Sequence, residues 1–116
     1  MAIDFNIQST IDEMLAATKQ TAGESGKAAK SVAANFLKNK RERLELLADL
    51  RLTGDISEEK FLSRLQDEKL ILEAELNALS VFSKATAQNV AQSAMNIFQS
   101  AVVNAIPDVL RDTPTA

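Results

Sequence analysis

The chain has 116 residues, 46% of them apolar and 25% charged, a net charge of −3, and neither histidine nor cysteine. Without those two residue types the usual ligands of zinc, haem and iron–sulfur groups are missing, as are the Ser-His and Cys-His nucleophile pairs. No cofactor or metal is expected, the mild charge predicts no nucleic-acid partner, and three glycines and two prolines are too few for a protein of strands and turns. An all-α single domain is the expectation.

Over residues 1–8, Ile3, Phe5 and Ile7 alternate with polar residues, which reads as an extended lead-in or a ragged first turn. This start has neither a basic n-region nor an apolar h-region, and nowhere do 18 apolar residues follow one another. A cytoplasmic location is expected, with export by a route other than Sec left open.

Residues 9–52 read as a first helical arm. Thr10 and Glu13 have capping-box spacing, and Ile7, Ile11, Met14 and Leu15 share one face. Gly23-Glu24-Ser25-Gly26 interrupts the pattern. Two readings fit it: a loop that leaves a separate short N-terminal helix, making three helices, or a continuous helix whose glycines let a neighbour approach closely. Val32, Phe36, Leu37, Leu44 and Leu47 then continue the stripe, and Leu46 and Leu50 widen it. Lys38, Lys40, Arg41 and Arg43 alternate with Glu42, Glu45 and Asp49, the pattern of a solvated face, with Arg41–Glu45 spaced as an i,i+4 pair.

Thr53-Gly54-Asp55-Ile56-Ser57 is the predicted turn. Gly54 suits the left-handed position that closes a helix, and Ser57 can cap the next one. Gly54-x-Ile56-Ser57-x-Glu59-Lys60-Phe61 resembles the G-x-I-S/T-x-E-E-F core of short bacterial helical-hairpin modules of the SHOCT type. Lys60 stands at that module's second acidic position, and Leu65 where it usually has a lysine. The resemblance implies an oligomerising hairpin.

Residues 57–106 contain neither glycine nor proline and read as one second arm, ~75 Å long at ~1.5 Å per residue. A kink near Ser80-Val81-Phe82-Ser83 is left open, though no breaker residue marks it; a bend there together with a break at 23–26 would let the stripes cover one another in a three- or four-helix bundle. Leu62, Leu65, Leu72, Leu76 and Leu79, with Phe61 beside them, form a coiled-coil-like seam interrupted by Lys69. Arg64–Glu68 and Lys69–Glu73 decorate the outside, and the carboxylates Asp67, Glu68, Glu73 and Glu75 read as solvated rather than catalytic. From Ala85 to Ile106 there is no charge, and Val90, Ile97 and Phe98 lie opposite a face of amides and hydroxyls. Pro107 ends the arm, and residues 107–116 read as a tail.

The expected fold is therefore an antiparallel long-helix hairpin about Gly54. Pairing numbers that sum to about 109 sets Leu47 on Leu62, Leu44 on Leu65 and Ile11 on Phe98. Two helices cannot cover apolar stripes this wide, which calls for a second copy of the chain. The functional expectation is a non-enzymatic assembly or adaptor protein, a homo-oligomer that presents a helical surface to a protein partner. Its interface residues would be Leu44, Leu47, Phe61, Leu62, Leu65, Leu72, Leu76, Leu79, Val90, Ile97 and Phe98. The alternative places 85–106 on a membrane, lipid or granule surface, or in an oligomeric pore. That is not favoured, since interfacial helices usually carry Lys or Arg beside the apolar face.

Overall fold

A computed structural model describes residues 5–106, which are helical throughout apart from caps and turns. Helix α1 spans Ile7–Ala22, α2 Gly26–Leu52, α3 Glu58–Asn77 and α4 Lys84–Ala105, with a single 3₁₀ turn at Gly23–Ser25. Sequence neighbours pack against each other and α4 returns against α1, closing a four-helix ring with dimensions of 46 × 23 × 21 Å. The single 75 Å arm is not formed.

Helix α1 starts at Ile7, two residues earlier than the Ser9 boundary. Asn6, not Thr10, is its cap, accepting from the Ser9 N–H at 2.9 Å. The Thr10 hydroxyl instead donates back to the Asn6 carbonyl at 2.9 Å. Ile7, Ile11, Met14 and Thr18 form the buried stripe, spaced three or four apart as a helix requires.

The glycine-rich stretch breaks the first arm, and both properties expected of it are present. Gly23, with φ 61° and ψ −117°, adopts a backbone conformation that side chains disfavour and stops α1. Gly26 is helical, and its missing Cβ lets the last turn of α1 lie close: a Cβ there would sit 2.6 Å from the Lys19 carbonyl oxygen. The chain thus folds back, and Gln8 of α1 meets Arg41 of α2 through a side-chain hydrogen bond.

The Gly54 turn forms as its residues predict. Gly54 has φ 82°, its N–H reaches the Arg51 carbonyl at 3.2 Å, and the Asp55 N–H reaches Leu50 at 2.8 Å. These two bonds are the Schellman pair, which satisfies carbonyls that a helix end would leave bare. Ser57 accepts from the Lys60 N–H at 3.1 Å and caps α3.

The second arm breaks where no glycine or proline marks it. Helix α3 stops at Asn77, and Ser83 caps α4 by accepting from the Thr86 N–H at 3.0 Å. Phe82 before that cap and Ala87 four residues into the helix are both buried, the two positions of a hydrophobic staple. The cap and the buried ring supply here what a breaker residue would otherwise do. Ile106, ending α4, is extended with ψ 129°, the conformation a following proline imposes.

Helix α4 turns Ala87, Val90, Ala91, Ala94, Met95, Phe98 and Val102 inward. Alanines on α2 (Ala29, Ala33) and α4 alternate with the large side chains Phe36, Phe61, Phe98, Met14 and Leu72 to fill one continuous core. At one end three aromatic rings meet. Phe98 stands edge-on to Phe5 at 6.0 Å and stacks near-parallel with Phe61 at 6.1 Å. Residues 1–4 and the tail expected at 107–116 lie outside the described residues.

Candidate interaction surface

Folding into four helices redistributes the residues expected at an interface between chains. Leu44, Leu47, Phe61, Leu65, Leu72, Leu76, Val90 and Phe98 are buried within the chain's own core, and Ile97 is packed against it. Only Leu62 and Leu79 remain on the surface. The inner part of the stripe that called for a second copy, Leu44, Leu47, Phe61 and Leu65, is buried in the four-helix core, while Leu46 and Leu62 at its edges stay exposed.

A different surface is left open. The outer side of the α2–α3 pair holds a groove of about 570 Å³. One wall is α2, with Glu42, Leu46 and Leu50; the other is α3, with Lys60, Arg64 and Asp67. Leu47 and Ile56 lie between them, and Arg43 and Glu68 complete the lining. Leu46 is 57% exposed, a large apolar side chain in water. A second hollow follows the same seam toward Leu79, lined by Ser31, Val32, Asn35, Lys38 and Glu75. Leu46, which widens the stripe in the sequence, stands at its outer edge and faces away from the core. At ~100° per residue it lies ~200° around the helix from Leu44.

Charge in the groove is divided. The Glu68 side chain is only 5% exposed and bonds to Arg43 (Nε to Oε2, 3.0 Å), with the Lys40 ammonium 3.8 Å from its Oε1. That Oε1 accepts no hydrogen bond. Glu68 is thus a buried anion neutralised from α2, not the solvated residue expected. The i,i+4 pairs Arg41–Glu45, Arg64–Glu68 and Lys69–Glu73 do not form: Arg41 turns to Gln8, and Glu68 turns to α2. Lys60 and Arg64 have no ion-pair partner among the described residues.

Removing a buried charge's partner usually costs more than the pair contributes. Glu68→Ala is expected to lower stability by about 1–3 kcal/mol in a urea melt, through the lost bonds and the space vacated. Glu68→Met, which refills that space while Lys40 and Arg43 turn to water, should lose under about 1 kcal/mol. Equal losses from the two would show that charge, not volume, sets the effect.

Among the described residues, no three acidic, histidine or cysteine side chains gather as a metal site would require. None of the described helices is long and apolar enough to cross a membrane. Compared with protein families, curated proteins and solved structures, the chain matches none.

Proposed function

We propose that this chain is a non-enzymatic helical assembly or adaptor protein that works by receiving another helix along its α2–α3 seam. The open apolar groove carrying the exposed Leu46 supports this reading. Apolar residues one turn apart on a groove wall are what an amphipathic helix meets with its i, i+4 anchors. Most of the residues expected at a homo-oligomer interface lie in the chain's own core, so a second copy would have to dock on what is left exposed, this seam among it. The reading of 85–106 as a surface-active helix gains no support, because the apolar face of α4 is turned into the bundle.

The test uses a synthetic helical peptide with a leucine stripe and uncharged glutamine flanks, titrated into methyl-labelled protein. Saturable shifts confined to Leu46, Leu47, Leu50 and Ile56 are expected. Leu46→Glu should abolish them with the helical content unchanged, since it sets a charge on the apolar wall. Shifts absent, or spread over all four helices, would sink the proposal.

A further inference from the structure

We infer that the occupant of the α2–α3 seam is an acidic amphipathic helix of another protein, its carboxylates lying over Lys60 and Arg64. The inference rests on the groove-binding role proposed above and names the chemistry of the partner.

Beside the Gly54 turn the two walls differ in kind. The α2 wall is apolar through Leu46 and Leu50, and the α3 wall is basic through Lys60 and Arg64. Each pair is spaced i,i+4, one helical turn apart, so both rows run parallel to the groove. Glu68 does not offset the basic wall, because Arg43 and Lys40 already neutralise it. A helix with an apolar stripe flanked on one side by two carboxylates one turn apart would satisfy both walls at once. Glu42 and Asp67 lie farther along the groove, so they favour a cationic residue at the occupant's other end and fix its direction.

A second copy of this chain fits less well. The ion pairs of Lys40 and Arg43 with Glu68 set the α2–α3 register, placing Leu46 level with Arg64 and Leu50 level with Lys60. Two seams docked about a two-fold axis so that their leucines meet would bring Lys60 and Arg64 of one chain onto Arg64 and Lys60 of the other. Sliding the copies until Arg64 meets Asp67 moves the leucines over Arg43 and Asn39. Apolar and ionic matching therefore conflict in the homodimer.

Three peptides that share the leucine stripe and differ only in flanking Glu, Gln or Lys decide the matter by fluorescence anisotropy on the full chain. At low salt the Glu peptide should bind about tenfold more tightly than the Gln peptide, with the Lys peptide weakest. Raising the ionic strength should compress that order. Lys60→Glu with Arg64→Glu should invert it, at unchanged circular dichroism. Equal affinity for all three would overturn the acidic partner while leaving the groove reading intact. A concentration-dependent dimer in light scattering, dispersed by Leu46→Glu, would overturn it in favour of a second copy. Binding of none of the three, with a monomeric chain, would remove the groove reading itself.

Discussion

Phe98→Ala should lower stability by about 3–5 kcal/mol, the largest loss expected from any single substitution in this chain. Small domains hold only about 5–15 kcal/mol in total, so much of the variant would be unfolded at ordinary temperatures. The ring is fully buried, and it joins three segments that sequence sets far apart: Phe5 before α1, Phe61 in the first turn of α3, and α4 itself. Truncation would remove both ring contacts and leave a void walled by Phe5 and Phe61, which a rigid bundle collapses around only in part. Phe98→Leu should retain a large share of the stability because most of the volume stays. Urea melts followed by circular dichroism measure both. A loss under about 1 kcal/mol for the alanine variant would mean that the three rings do not hold this end together.

The second large effect should reverse an ordinary rule. In an exposed helix, glycine to alanine stabilises by about 1 kcal/mol. Gly26→Ala is expected to destabilise instead, by about 1–3 kcal/mol, because the new Cβ would meet the Lys19 carbonyl oxygen at 2.6 Å, a backbone atom that cannot rotate away. Gly26→Val should do more, since its branches need room on both sides of that contact. At Gly23 the cause differs: a Cβ there meets nothing within 4 Å, and the penalty is the backbone conformation at φ 61°, about 1–3 kcal/mol. Hydrogen exchange separates the two mechanisms. Gly26→Val should loosen α1 against α2 along their length, whereas Gly23→Ala should disturb only the turn. A stabilised Gly26→Ala would show that α1 and α2 do not approach as described.

The features legible from sequence were those whose chemistry is local. Helical content follows from composition, and the Gly54 turn with its Ser57 cap follows from residues that need no distant partner. The break at 23–26 was half legible, for glycine signals both an interruption and a close approach, and the structure uses one glycine for each. The second break was legible only as a kink left open at Ser80-Val81-Phe82-Ser83, with no breaker residue to decide it. Ser83 caps α4 only because Phe82 finds a buried place, and whether it does is decided by helices far away in sequence. Once both breaks are present, four shorter helices cover one another, and most of the leucines assigned to a partner chain become core, Leu62 and Leu79 excepted. Glu68 was misread for the same reason: its partners lie on α2, beyond any i,i+4 relation. Leu46 was legible in part: it widens the stripe beyond what a two-helix hairpin covers, and it stays exposed in the four-helix fold.

The most extensive helix pairing in the fold joins its first helix to its last, α1 to α4. During synthesis α1 and α2 can form their hairpin as they emerge, and α3 can add to it. The surface that α4 will cover nevertheless stays bare until some eighty residues after α1 have been made. A chain halted before Ser83 would display the apolar faces of α1 and α3 with nothing to close over them, a state that invites aggregation or capture by a chaperone. In such a molecule the final helix acts as the closing stave of a barrel, and the interval before it arrives is the time of greatest exposure.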